Sequence, residues 1–217
     1  MTGRPAVEDP RAARTRARLR AALLAECAER PLAEAGVAAV ARRAGVGRAT
    51  FYVHYDGLEA LAVDTCADVV REAVDALHAW RGRPDPVHAP PALREFFAGL
   101  VPHAALYREL LAPGGGGPLG RVLHRDLRAR SLAERELVGA ADAPLVASAV
   151  AATFAGVLAD WLHGLLDAGP DQVADQVWQL LVALHMSRCP VPGRGRHDST
   201  ELGNRAFSPP GTPRQTG

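Results

Sequence analysis

The chain has 217 residues, of which 48% are apolar and 23% charged, an ordinary balance for a globular protein that excludes wholesale disorder. No run approaches the roughly 18 consecutive apolar residues of a membrane span, and the first twenty residues lack the apolar core and cleavage site of a secretory signal. Three cysteines, Cys27, Cys66 and Cys189, are too few and too scattered for a disulfide framework or a zinc cluster. We therefore expect a cytoplasmic protein with reduced thiols, no metal site and no membrane association.

The formal net charge is +1, but the charged residues are distributed unevenly along the chain. Residues 1–55 carry ten arginines against five acidic residues, and residues 187–217 carry five against two. Residues 56–186 carry ten against seventeen, and all 25 basic residues of the chain are arginine. A basic front segment on an acidic body indicates that the front contacts a polyanion.

Helical periodicity covers almost the whole ordered chain, and alternating strand patterns are nearly absent, which predicts an all-α fold. Residues 1–11 contain two prolines and are predicted to be a disordered arm, as is the Pro- and Gly-rich tail, 187–217. A Pro-rich loop is expected at 81–91, and a flexible break at Gly114–Gly117. The predicted helices span about 12–29, 37–44, 48–55, 58–80, 92–101, 103–112, 118–139, 145–167 and 173–184.

Residues 36–55, GVAAVARRAGVGRATFYVHY, have the pattern of two short helices joined by a tight turn. Ala44 permits close packing, Gly45 can adopt the positive φ that a sharp corner needs, and Val46 can anchor the corner in the core. Gly47 then lies at the N-cap of a second helix that begins with Arg48. Two helices joined in this way form the DNA-binding helix-turn-helix, whose second helix enters the major groove.

The segment AVARRAGVGRATFYVHYDGLEAL resembles the signature of TetR-family transcriptional regulators, in which the recognition helix ends in an aromatic–x–His–aromatic run. The resemblance is specific over about residues 12–66; farther on, HAALYRELLAPGG and the Gly156–Trp161–Gly164 helix look like one C-terminal type of the family. It implies a three-helix DNA-binding domain at 12–58 and a larger helical ligand-binding and dimerisation domain at 59–186. It also implies a homodimer that pairs through 144–186 and binds a palindromic operator in double-stranded DNA.

The expected DNA contacts concentrate on the second helix of the motif. Arg48 can reach a guanine edge, and Thr50 a phosphate or a thymine methyl, although both could simply be solvated. The resemblance implies that Tyr52 and His54 face the DNA backbone. Phe51 and Tyr55 are expected mainly as core residues that pack the recognition helix onto its neighbours, although Tyr55 is also kept among the DNA-contact candidates. Five arginines are candidates for phosphate neutralisation. The predicted DNA-binding set is Arg14, Arg16, Arg18, Gly36, Val37, Arg42, Arg43, Gly47, Arg48, Ala49, Thr50, Tyr52, His54 and Tyr55.

Two positions depart from the family pattern. Gly36 lies where Ser or Thr usually caps the first motif helix, a change that costs only a few tenths of a kcal/mol. Leu58 lies where a lysine usually contacts a DNA phosphate, so one electrostatic anchor is missing.

The second half is expected to dimerise and to bind a small-molecule effector. The helix at 145–167 is apolar on more faces than one chain easily covers, and its small residues permit close approach, which independently supports pairing with a second copy. The resemblance implies a ligand pocket in the same domain, for which core packing is the alternative at every position. Its candidate lining residues are Phe96, His103, Tyr107, Phe154, Leu158 and Trp161, with Phe97 and His163 as further candidates.

The resemblance implies a ligand-responsive repressor that releases its operator when an effector binds. Because the candidate lining residues are mostly apolar or aromatic, we expect an apolar or aromatic small molecule as that effector. One alternative is a regulator that binds DNA constitutively, without an effector. Another is a helical small-molecule-binding protein or enzyme whose motif is accidental. The chain has no phosphate-cradling P-loop and neither a Ser-His-Asp nor an HExxH arrangement, so we expect no enzymatic activity and no cofactor.

Overall fold

The computed structural model describes residues 9–80, 82, 85–137 and 139–186, and these residues contain no β-strand. Three short 3₁₀ turns occur at Leu32–Glu34, Val101–His103 and Pro113–Gly115. The predicted all-α fold is confirmed, whereas the tail at 187–217 and most of the N-terminal arm lie outside the described residues. The helices are α1 (Pro10–Cys27), α2 (Val37–Arg43), α3 (Arg48–His54), α4 (Leu58–Ala79), α5 (Pro91–Leu100), α6 (Ala104–Leu110), α7 (Gly117–Leu137), α8 (Ala143–Leu162) and α9 (Pro170–Met186).

Helix α1 begins two residues earlier than its composition predicted. The Asp9 side chain accepts a hydrogen bond of 2.9 Å from the backbone N–H of Arg11, and Pro10 occupies the first helical position, where its missing N–H costs nothing. Leu19 and Leu23 then face inward and are fully buried, so α1 packs across both α2 and α3. The three helices share a small core that holds the motif together.

Helix α4 joins this N-terminal unit to the rest of the chain. Its buried face, which includes Leu61, Cys66 and Val70, belongs to one hydrophobic cluster that runs from α1 to α9. Burial raises the pKa of the Cys66 thiol to about 12. The N-terminal helices and the C-terminal helices are therefore connected by packed side chains as well as by the backbone.

The run Gly114–Gly117, which the sequence predicted to be a flexible break, is instead a packed turn. The backbone N–H of Gly114 donates to Asp160 at 2.9 Å. A Cβ at Gly115 would lie 2.9 Å from the backbone of α8, and a Cβ at Gly120 would overlap the carbonyl oxygen of Gly115. The prediction failed because glycine indicates close backbone approach as readily as it indicates flexibility.

Helix α8 is long and apolar enough to cross a membrane by length and composition alone, contrary to the expectation that no segment comes near that length. This is weak support for a membrane span, because the buried core helix of a globular protein can have the same length and apolar composition. In the fold, α8 packs against α7, α9 and the glycine turn. Its inward face holds buried Ala151, Phe154 and Leu158.

Candidate DNA-binding face and ligand cavity

The turn between α2 and α3 is fixed by the backbone. Gly45 has φ of +61°, and its N–H donates to Arg42 O at 3.0 Å, while the N–H of Val46 donates to Ala41 O at 2.9 Å. These two hydrogen bonds form the Schellman ending of α2, which requires a left-handed residue at the position of Gly45. Arg18 on α1 also donates to the carbonyl oxygen of Gly45 at 3.0 Å. The corner that aims α3 is therefore held by α1 as well as by its own backbone.

Helix α3 has one buried face and one exposed face. Phe51 is fully buried and Tyr55 is 8% exposed, so these two aromatic residues attach the helix to the core. Arg48, Ala49, Thr50 and Tyr52 are exposed, and His54 is half-buried. All the predicted groove contacts except Tyr55 thus lie on or beside the outer face.

The Arg48 guanidinium lies over the Tyr52 ring, 5.8 Å from its centroid. This cation–π contact, between residues four apart on the helix, restricts the directions that Arg48 can take before DNA arrives. Val53 is 78% exposed on the same helix and was absent from the predicted set. An exposed aliphatic group on a recognition helix can contact a thymine methyl. The signal that could have identified Val53 as a candidate contact is its apolar side chain on an otherwise mostly polar outer face.

The five arginines proposed for phosphate contact fall into different environments. Arg14, Arg18 and Arg42 are exposed, and Arg16 is half-buried. Arg43 instead pairs with Glu26 at 3.2 Å and with Glu29 at 2.6 Å, at the end of α1. Glu26 is only 3% exposed and also pairs with Arg30 at 3.1 Å, so removing Arg43 would take away one of the two cations that compensate this buried charge. Arg43 holds α2 against α1, and we withdraw it from the proposed phosphate contacts.

The remaining predicted positions are also placed by the fold. Gly36 and Gly47 are exposed N-caps of α2 and α3 without a side-chain hydrogen bond, and Val37 is half-buried. Leu58, which lies where the family usually has lysine, is half-buried and packs against the hydrophobic cluster. Tyr55 is buried, as expected for a core residue, and its hydroxyl donates to Asp64 at 2.7 Å.

A cluster of charged side chains joins the DNA-binding helices to α4 and α7. Tyr55 donates its hydroxyl to Asp64 at 2.7 Å, and Arg20 on α1 donates to the same carboxylate at 2.8 Å. Arg71 on α4 contacts Asp64 at 3.3 Å and Asp126 on α7 at 3.4 Å. Burial alone would raise the pKa of Asp64, but hydrogen bonds from Tyr55 and Arg20 hold that pKa below its ordinary value.

A partly enclosed cavity of about 500 Å³ lies among α4, α5, α7, α8 and α9. Its volume is within the range of sites that bind small molecules. Most of its wall is aliphatic or aromatic, and the polar side chains on it are few. The lining residues are Val70, Ala73, Val74, Leu77, His78, Leu93, Phe96, Leu127, Arg130, Ser131, Glu134, Val150, Phe154, Trp178, Leu181 and Val182.

Only Phe96 and Phe154 of the predicted lining residues lie on this cavity. Tyr107 is buried and joined by a hydrogen bond to the Cys66 thiol, while Trp161 donates to Ala168 O at 2.9 Å and packs on Phe97. Four predicted residues therefore lie off the cavity wall: His103, Tyr107, Leu158 and Trp161. The further candidates Phe97 and His163 also lie off the cavity wall.

The short turn, the buried aromatic anchors and the exposed arginine-bearing outer face of α3 define a helix-turn-helix DNA-binding protein. Comparison with known families supports this class. Residues 19–64 match the sequence profile of the family described as "Bacterial regulatory proteins, tetR family". The chain thus has a DNA-binding segment of the tetR type at residues 19–64, and the protein is a DNA-binding transcriptional regulator.

A solved structure described as the fatty acid degradation regulator FadR from Bacillus halodurans is similar to the chain at 19% sequence identity, with a TM-score of 0.49. The alignment covers 79% of this chain and 99% of that one. No curated protein matches the chain.

Proposed function

We propose that the protein is a repressor that binds a palindromic operator as a homodimer and releases it when a largely apolar small molecule enters the cavity. The observation that carries the proposal is the two-sided packing of α3. Buried Phe51 and Tyr55 fix the helix, while Arg48, Thr50 and Tyr52 stand outside on a face that fits the major groove. In the cell, this activity belongs in the cytoplasm, where the DNA is.

Dimerisation through 144–186 is supported by apolar side chains that one chain leaves in contact with water. Among the described residues, four large apolar side chains in this range are exposed: Leu145, Leu165, Leu166 and Leu180. They lie at the start of α8, on the turn after it and on α9, so exposed apolar side chains are available along the proposed interface. A two-fold dimer would place two copies of α3 in successive major grooves, about 34–36 Å apart.

The link between the cavity and DNA binding is supported by the charged cluster around Asp64. Helices α4 and α7 both line the cavity, and Arg71 and Asp126 join them beside it. Asp64 in turn holds Tyr55 at the end of α3 and Arg20 on α1. A ligand that changes the packing of α4 on α7 would therefore move Asp64, which holds the end of α3. Such a ligand weakens DNA binding when it binds more tightly to the arrangement in which α3 no longer fits the operator.

Release of DNA by a ligand tests this proposal. A genomic binding profile of the full chain supplies the operator duplex, and fluorescence anisotropy of that duplex is followed while uncharged apolar compounds are added. Trp178 lies on the cavity wall, so an effector should change its fluorescence over the same concentration range that releases DNA, and Trp178→Phe should remove the fluorescence change.

A coupling free energy of about 1–3 kcal/mol corresponds to a loss of operator affinity of about 5- to 150-fold. Compounds that change Trp178 fluorescence without releasing DNA would contradict the switch. If no compound in a broad apolar collection weakens operator binding, the result would favour the alternative of a regulator that binds DNA constitutively.

A further inference from the structure

The cavity wall contains one polar side chain whose hydrogen-bonding capacity is not used by the described residues. Ser131 on α7 is 7% exposed, and its hydroxyl has no hydrogen-bond partner among the described residues. A buried hydroxyl normally has a partner, so an unpaired one on the wall of an apolar cavity indicates a position where a ligand supplies it. A hydroxyl can donate to a carbonyl or accept from another hydroxyl.

The charged groups on the same wall are already paired with one another. Arg130 contacts both Asp75 and Glu134, the latter at 3.3 Å, and His78 Nε2 lies 2.7 Å from Glu134 Oε1. The Nδ1 atom of His78 faces Val74 O at 2.6 Å. Arg130 and His78 thus each have a carboxylate partner among the described residues.

This pairing makes the cavity a poor site for an anion. A carboxylate or phosphate ligand would either face Glu134 or compete with it for Arg130, and both arrangements bring two negative charges close together. An uncharged ligand with one polar group leaves the ion pairs intact and satisfies Ser131.

We propose that the cavity binds an uncharged, mainly aliphatic molecule with a single hydroxyl or carbonyl group, which forms a hydrogen bond with the Ser131 hydroxyl. This assignment rests on the proposed function in that it names the effector class of the same cavity. It separates neutral alcohols, ketones and esters from fatty carboxylates and phosphorylated compounds.

The experiment compares 1-decanol, 2-decanone and decanoate, which share a ten-carbon chain, at pH 7.5 by Trp178 fluorescence and by calorimetry, without DNA. We expect the alcohol and the ketone to bind at least tenfold more tightly than the carboxylate. Ser131→Ala should weaken decanol and decanone by about three- to tenfold, the range of one neutral hydrogen bond. Ser148→Ala is the matched control, because Ser148 pairs with Arg128 and lies off the cavity wall, and it should leave both affinities unchanged.

Glu134→Gln adds a second test that does not depend on Ser131. Removing this carboxylate leaves Arg130 less compensated, so decanoate affinity should rise while decanol affinity stays within twofold. Three outcomes would each overturn the proposal. The unmodified chain could bind decanoate as tightly as decanol, it could bind none of the three compounds, or folded Ser131→Ala could bind decanol with unchanged affinity. If decanol binds but the operator affinity stays unchanged, only the proposed switch is refuted. If an anion is the only compound that releases the operator DNA, only the proposed ligand class is refuted.

Discussion

The hydroxyl of Tyr55, the residue that ends the recognition helix, lies 2.7 Å from Asp64 Oδ2 on α4. Asp64 also accepts hydrogen bonds from Arg20 on α1 and contacts Arg71, which reaches Asp126 on α7. One carboxylate therefore joins the end of α3 to the helices on either side. The position of the recognition helix depends on this carboxylate as well as on the apolar contacts of Phe51.

Tyr55→Phe should lower the free energy of unfolding by about 1 kcal/mol, because the ring stays packed and one hydrogen bond to a charged acceptor is lost. Urea unfolding followed by circular dichroism measures the change. Tyr52→Phe is the matched control, since Tyr52 is 47% exposed, and it should leave the unfolding free energy within about 0.5 kcal/mol of the unmodified chain. Equal losses in the two variants would show that the Tyr55–Asp64 contact contributes nothing specific.

The pH dependence of stability should reflect the lowered pKa of Asp64. A carboxyl whose pKa is lower in the folded state than in the unfolded state stabilises the fold above the unfolded pKa of about 3.9, and that contribution is lost as the pH falls through the folded value. The difference in unfolding free energy between the unmodified chain and Asp64→Asn should therefore be constant from pH 5 to 7 and shrink below about pH 4. Urea titrations at several pH values test this, and a difference that is undiminished at pH 2.5 would refute it.

The sequence predicted the N-terminal unit well because its signals are local. Gly45 marks a left-handed turn, and the buried Phe51 and exposed Arg48 follow from their positions on a short helix. The expected core position of Tyr55 agrees with its burial, whereas Val53 was not singled out, because an aliphatic residue by itself carries no sequence signal for a DNA contact.

The cavity lining could not be predicted in the same way. Helices α8 and α9 are apolar on several sides, so periodicity does not identify which side faces a void and which faces another helix. Trp161 and Phe97 pack edge to face at 5.3 Å and fill their own space, whereas Trp178, which the sequence did not single out, lies on the cavity wall. The position of a void depends on how all five helices pack together.

Gly120→Ala should destabilise the protein by about 1–3 kcal/mol, because a methyl group there overlaps the carbonyl oxygen of Gly115 and the turn must shift. Gly99→Ala is the control within another helix, since a Cβ at Gly99 meets nothing within 4 Å. That variant should gain about 0.5–1 kcal/mol, as alanine favours helix interiors over glycine. Thermal unfolding distinguishes the two. A Gly120→Ala protein as stable as Gly99→Ala would show that the turn is not tightly packed.

Leu180→Asp and Leu145→Asp should convert a dimer to a monomer at micromolar concentration while leaving each chain folded, because both side chains are exposed in the single chain. Leu162 is unsuitable for this test, since it is only 5% exposed within its own chain. Val101→Asp is the control: Val101 is 53% exposed but lies outside 144–186. Sedimentation velocity measures the outcome, and folded dimers in both leucine variants would place the interface elsewhere.

Selection of bound duplexes from a random DNA pool by the full chain, sequenced after several rounds, tests the central claim most directly. We expect enriched inverted repeats whose half-sites are centred about one helical turn apart, and Arg48→Ala should lose preference at one base pair in each half-site, with a cost of about 1–3 kcal/mol. A pool without enrichment, or enriched sites that Arg48→Ala binds with the same preference, would contradict the assignment of α3 as the helix that reads the operator.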